Sequence, residues 1–108
     1  MLLLTTIGRR SGLPRTVALA YVVLDGEIYL VGGASGADRH PLWFENLLVT
    51  PAVEIEVRRW RRSAVATRVV EPARSRLWPR LAAAVPSIEL YRERTTRDIP
   101  VVHVAPHG

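Results

Sequence analysis

The stretch that decides the fold is Thr16-Val-Ala-Leu-Ala-Tyr-Val-Val-Leu-Asp-Gly-Glu-Ile-Tyr-Leu-Val31. It is β-branched and apolar on both sides of Asp25-Gly26, the dipeptide most strongly associated with a two-residue hairpin turn. The reading is a strand over Thr16–Leu24, the turn, and a returning strand over Glu27–Val31. Its apolar core, Val17 to Leu24, is the longest unbroken apolar run in the chain. It is far short of the about 20 residues that a membrane-spanning helix needs.

Outward from this hairpin the same logic gives more strands. Met1–Ile7 is leucine-rich and β-branched without helical period, and it breaks at Gly8 and Gly12 into a loop closed by Pro14. Val53, Ile55 and Val57 alternate with Glu54 and Glu56, as a strand with one wet face requires. Arg58-Arg59 reads as a tight turn into a strand from Trp60 to Val70, and Ile99–Val104 closes the chain as a sixth strand. Two segments carry helical spacing instead: His40–Val49, through Leu42, Trp43, Leu47 and Leu48, and Pro72–Val85, through Leu77, Trp78, Leu81, Ala82 and Val85. Tyr91–Arg97 reads as irregular or briefly helical. The expectation is a mainly β (α+β) single domain over residues 1–108: about six antiparallel strands in a small barrel or sheet, with two or three short helices packed outside.

Composition narrows the chemistry. The 108 residues allow one domain, and 48% hydrophobic with 23% charged residues is a globular composition rather than a disordered one. The chain has no cysteine, which excludes disulfides, thiolate catalysis and cysteine metal sites together. A metal would rest on His40, His103, His107 and carboxylates, which show no ligand spacing. Leu2–Leu4 is followed by its positive charges rather than preceded by them, unlike a secretory signal, so a cytoplasmic location is expected. All fifteen basic residues are arginine and the net charge is +5, which suits an anionic partner. A genome rich in arginine codons would produce the same composition, so position has to decide.

Two loops carry that decision. Gly8-Arg9-Arg10-Ser11-Gly12-Leu13-Pro14-Arg15 places three guanidinium groups and a hydroxyl on a glycine-bounded loop after a strand. Glycines let backbone amides approach an anion while the arginines neutralise it, and the phosphate of a cofactor or nucleotide is the natural guest. The plainer reading, a solvated basic turn, has the advantage on these residues alone. The Gly-Lys-Ser/Thr ending of a Walker motif is absent. The second loop, Gly32-Gly33-Ala34-Ser35-Gly36, leaves the third strand and runs through Asp38, Arg39, His40 and Pro41 toward Trp43. Small residues there permit a flat ring to approach, with backbone amides bonding its carbonyls, or they make a mobile loop. Asp38 and His40 read as an acid and base or as helix caps. Trp43 and Trp78, on apolar helical faces, read as core. Arg58-Arg59-Trp60-Arg61-Arg62 reads as a solvated turn before it reads as a nucleic-acid or headgroup site.

The order of these motifs carries more than any one of them. Residues 4–15, Asp25-Gly26, 33–47, 51–57 and 94–102 resemble, over nearly the whole chain, the deazaflavin (coenzyme F420)-dependent nitroreductase and quinone reductase family of actinobacteria. The resemblance implies a split β-barrel of the flavin-reductase type. It also implies an oxidoreductase that passes a hydride from reduced coenzyme F420 to a small electron-poor acceptor such as a quinone or nitro compound. Arg9, Arg10, Ser11, Gly12 and Arg15 would then hold the cofactor's phosphate and oligoglutamate tail. Gly32, Gly33, Ala34, Ser35 and Gly36 would run along its ring, Tyr91 would serve the acceptor as a proton donor, and Trp43 and Asn46 would be structural.

Two departures bear on the substrate. Family members often carry an N-terminal helix that roofs the pocket, whereas this chain begins almost inside its first strand, so a more open pocket or one completed by a second subunit is expected. Where nitroimidazole-reducing relatives have Tyr-Pro-x-Tyr-x-x-Tyr, residues 85–91 keep only Tyr91, which argues against that drug class. The alternatives are FMN as cofactor, a barrel that binds a flavin or deazaflavin without turnover, and a basic nucleic-acid module on Arg58–Arg62. The expected partner is a small-molecule acceptor rather than a specific nucleic acid. A peripheral contact with the inner face of the membrane is compatible with the Arg58–Arg62 cluster, and the chain is expected as a monomer or a homodimer.

Overall fold

The computed structural model describes residues 1–33 and 39–107. Its elements run β1 Leu2–Ile7, β2 Pro14–Leu19, β3 Val22–Leu24, β4 Glu27–Val31, α1 Leu42–Val49, β5 Ala52–Val57, β6 Trp60–Arg68, α2 Ala73–Ala84, α3 Ser87–Arg94 and β7 Val101–Pro106. Among the described residues the strands form one sheet in the order β2-β1-β5-β6-β7-β4-β3, with every neighbouring pair antiparallel. Strands β2 and β3 lie at opposite edges of this sheet, yet only Ala20 and Tyr21 separate them in sequence. Three Cα–Cα steps reach at most about 11 Å. The two edges must therefore stand side by side, and the sheet curls into the expected split barrel.

This corrects the single strand expected over Thr16–Leu24. Val17, Leu19 and Tyr21 pack against the core inside the curl, with Leu2, Leu4, Leu30, Phe44, Ile55 and Val104. Val22 and Leu24 belong instead to a second core on the outer face, with Trp78, Leu81, Ile88, Ile99 and Val101. Alternation along a strand sends Tyr21 and Val22 to opposite faces of the sheet, as it sends Leu30 to the inner core and Tyr29 and Val31 to the outer one. The chain changes edge at Ala20-Tyr21 without interrupting that alternation. Because every residue from 17 to 24 is apolar, no polar position marks the break.

Other elements follow local chemistry. Asp25 (φ 54°) and Gly26 (φ 79°) form the turn with both central residues left-handed, the geometry that favours this dipeptide. Helix α1 fills the mouth of the curl with Trp43, Phe44 and Leu47. Helices α2 and α3 cover the outer core, and α3 begins at Ser87, earlier than the irregular Tyr91–Arg97 segment expected. Trp78 is 5% exposed, donates its indole N–H to Glu89, and carries the guanidiniums of Arg74 and Arg92 over its ring. Arg80 binds Asp25 through two hydrogen bonds, at 2.8 and 3.2 Å, and ties α2 to the hairpin turn. Among the described residues no helix is long and apolar enough to cross a membrane.

Phe44 is fully buried and Val23 is 55% exposed. Phe44→Ala should cost about 3–5 kcal/mol in urea denaturation, whereas Val23→Ala should stay within about 0.5 kcal/mol.

Candidate functional site

The basic loop is a closed structure. The Gly8 N–H donates to the Leu13 carbonyl (2.8 Å), the Gly12 N–H to the Gly8 carbonyl (2.8 Å), and the Leu13 N–H to Ser11 Oγ (3.2 Å). Gly12 has φ +70°, which disfavours a side chain, and a Cβ on Gly8 would stand 2.5 Å from Ser11 Oγ. The loop is fixed to α1 by Asn46. Its side-chain oxygen accepts the Arg9 N–H (3.1 Å), and its amide donates to Thr6 Oγ1 (3.1 Å). Asn46 and Thr6 are both buried, so each satisfies a polar group that would otherwise be costly there.

Between this loop and α1 lies a cavity of about 570 Å³, within the range of small-molecule sites. Thr6, Gly8, Arg9, Arg10, Ser11, Arg15 and Thr16 supply its polar lining, with Asn46 behind them, while Val17, Leu42 and Trp43 form an apolar wall. Trp43 is thus core, as expected, and cavity wall as well. The three loop arginines are not equivalent. Arg9 is half-buried and paired with Glu45 at 3.1 Å. Among the described residues Arg10 and Arg15 have no carboxylate partner, so their charge is available to a guest. An arginine-rich donor set beside an apolar wall fits a ligand with an acidic tail and a flat apolar head.

The glycine crossing is held from the other side. Ala34, Ser35, Gly36 and Asp38 lie outside the described residues. A Cβ on Gly32 would stand 2.7 Å from Pro100 Cγ, and one on Gly33 would stand 2.7 Å from Cδ2 of Tyr91, so both positions admit only glycine without movement. Arg97 donates from one nitrogen to the carbonyls of Gly32 (3.1 Å) and Gly33 (2.8 Å), and from the other to His40 Nδ1 (3.1 Å). A guanidinium cannot accept, so His40 must accept through Nδ1 and is neutral with its proton on Nε2. Burial first, then the Arg97 and Arg68 charges, hold the imidazole below its ordinary pKa. His40 does not cap α1, because Pro41 occupies the N-cap position and among the described residues no side chain caps that end. Gly32 also approaches Pro41, which connects the crossing to Leu42 at the cavity.

The structure therefore brings Arg9, Arg10, Ser11 and Arg15 to one cavity, with Gly12 shaping the loop. Gly32, Gly33 and Tyr91 do not line that cavity, and Tyr91 packs on Gly33 and the outer core. The Arg58–Arg62 cluster is elsewhere. Leu3 pairs with Glu56 and Thr5 with Glu54, so the β5–β6 turn lies beyond the start of β1, whereas the basic loop follows its end. There Arg61 is neutralised by Glu54 and Glu56, and Arg62 covers the Trp60 ring. Sequence reasoning missed Arg97 and Glu45 as parts of the site. Arg97 lay in a quoted motif, but no spacing rule connects it with Gly32, 65 positions earlier. Among the described residues no group of histidines and carboxylates could hold a metal.

Comparison with known proteins agrees with this architecture. Residues 1–106 match the model of the F420H(2)-dependent quinone reductase family. The chain belongs to that family. An F420H(2)-dependent quinone reductase of Mycobacterium tuberculosis (strain ATCC 25618 / H37Rv) is 38% identical over 105 residues, which are 94% of this chain and 70% of that protein. Among solved structures, an F420-H2 dependent reductase shares 30% identity with a TM-score of 0.83, covering 95% of this chain and 91% of its own. A protein solved as a domain-swapped dimer shares 30% identity with a TM-score of 0.84, covering 95% and 78%. The family and the split barrel are those that the motif order implied.

Asn46→Ala leaves the Arg9 N–H and the Thr6 hydroxyl without their buried partner. It should cost about 1–3 kcal/mol in chemical denaturation. The depressed His40 pKa stabilises the fold fully above the unfolded value near 6.5. The unfolded chain takes up the proton first, so this contribution is lost as pH falls below that value toward the folded pKa. Stability measured between pH 7 and 5 should fall less steeply in His40→Asn than in the native chain.

Proposed function

We propose that this chain is a reductase that binds F420H2 in the cavity beside α1 and passes a hydride to a quinone. The observation that carries the reading is the pair Arg10 and Arg15, which have no carboxylate partner among the described residues, on a hydrogen-bonded loop facing an apolar wall in a chain of this family. Arg10, Arg15 and Ser11 would hold the acidic tail. Arg9, engaged by Glu45, keeps the loop in place rather than binding the guest. The flat head would extend past Leu42 toward Gly32 and Gly33, where backbone groups rather than side chains meet it. When bound, the reduced deazaflavin supplies the hydride, and no nucleophile or metal is required of the protein.

The chain's own contribution is position and the exclusion of water. Val17, Leu42 and Trp43 provide an apolar wall that excludes water beside the reacting rings. The final proton would come from water or from the Tyr91 phenol. Tyr91 stands over the crossing rather than in the cavity, and Tyr91→Phe separates these two sources. A membrane position enters only as access to the acceptor, and the Arg58–Arg62 turn would make such a contact away from the cavity.

The test is a fluorescence titration with F420 against FMN as competitor, followed by turnover with F420H2 and menadione. Removing one charge-assisted bond costs about 1.5–3 kcal/mol, equivalent to roughly 10- to 100-fold in affinity. Arg10→Ala and Arg15→Ala should each weaken F420 binding by that range and raise its KM, with kcat nearly unchanged. Tighter binding of FMN than of F420 would sink the cofactor assignment. Cofactor binding without oxidation by any quinone would instead make the chain a carrier.

A further inference from the structure

We infer that Arg97 is the positioning residue of the ring end of this site: it sets the Gly32–Gly33 backbone that meets the cofactor head, whereas Arg10 and Arg15 govern the tail. The inference rests on the proposed function above and assigns a residue outside the cavity.

Consecutive carbonyls of an extended strand point in opposite directions. Those of Gly32 and Gly33 converge on one guanidinium nitrogen of Arg97, at 3.1 and 2.8 Å, immediately after β4 ends at Val31. Arg97 therefore holds the chain out of strand geometry at that point. The Gly32–Gly33 peptide is trans, so its N–H lies antiparallel to its C=O. Fixing the Gly32 carbonyl on Arg97 turns the Gly33 N–H away from the guanidinium, as a donor aimed off the opposite side. Without Arg97 the two carbonyls would be released, and acceptors would compete with that donor for the space.

The neighbours leave little alternative. Pro100 and Tyr91 press on the α-carbons of Gly32 and Gly33, and the Gly32 N–H is used by the Pro100 carbonyl at 2.9 Å. His40 accepts the second arm of the guanidinium at 3.1 Å and fixes its plane, and its ring stacks edge-on against Phe44 of α1. The crossing is thus indexed to the same helix that forms the cavity wall. A bidentate, planar donor is needed here, which lysine cannot reproduce.

The experiment compares Arg97→Ala and Arg97→Lys with Arg10→Ala by three readouts: the Kd of oxidised F420, the kcat with F420H2 and menadione, and the circular dichroism induced in the bound chromophore. A misplaced ring costs turnover rather than tail affinity. Arg97→Ala should lower kcat by roughly 10- to 100-fold, with Kd within about threefold and the induced dichroism lost. Arg97→Lys, which can hold one carbonyl, should fall between Arg97→Ala and the native chain. The inference is overturned if kcat and dichroism stay near native values, or if affinity falls as far as in Arg10→Ala. Should Arg97→Ala fail to melt cooperatively, Arg97→Lys decides by the same readouts. A native chain that binds no F420 would sink the functional reading itself, whereas native turnover indifferent to Arg97 would sink this inference alone.

Discussion

The constraint on which the rest depends is the two-residue link at Ala20-Tyr21. It joins the outermost strands of a seven-stranded sheet, and so short a link holds only if the sheet closes on itself. Closure creates an interior that Leu2, Leu4, Leu30, Ile55 and Val104 fill from the strands and that α1 plugs with Phe44 and Leu47. Once α1 is seated, Asn46 stands beneath the β1–β2 loop and ties it down through Arg9 and Thr6. The cavity exists because a polar clamp and an apolar plug lie on one short helix.

The arginine content resolves into distinct tasks. Arg9, Arg61, Arg68, Arg74, Arg80 and Arg92 each have a carboxylate within salt-bridge distance. Those on exposed faces contribute little stability individually, but Arg80 links α2 to the β3–β4 turn, and Arg74 and Arg92 both lie over the Trp78 ring. Arg97 works on backbone carbonyls instead. What remains near the cavity is Arg10 and Arg15. The net charge of +5 attracts an anion from a distance, but these two guanidiniums determine where it would be held.

Much of this was legible beforehand where a local rule applied. Asp25-Gly26 required left-handed backbone and found it, the alternation from Val53 to Val57 marked a half-buried strand, and Trp43 with Leu47 marked the inward face of a helix. The loop glycines were legible for the same reason, although Gly12 serves its φ and Gly8 serves a close approach to Ser11. The break at Ala20-Tyr21 was not, because an apolar strand passing between two cores shows no polar residue at the junction. The separation of Tyr91 from the cavity was equally hidden, since its position follows from α3 packing on the outer core.

By itself, then, the chain's sequence determined all its strands and turns but the break at Ala20-Tyr21, the two anion-ready and glycine-rich loops, and through their order the family, because each depends on neighbours close in sequence or on a motif read in line. Only the tertiary structure decided that β2 and β3 flank one seam and that Arg9 pairs with Glu45 while Arg10 and Arg15 have no carboxylate partner among the described residues. It alone decided that Arg97 reaches back to Gly32 and Gly33. Those outcomes depend on charges and carbonyls brought together across dozens of residues by closure of the sheet, and no local pattern encodes that distance.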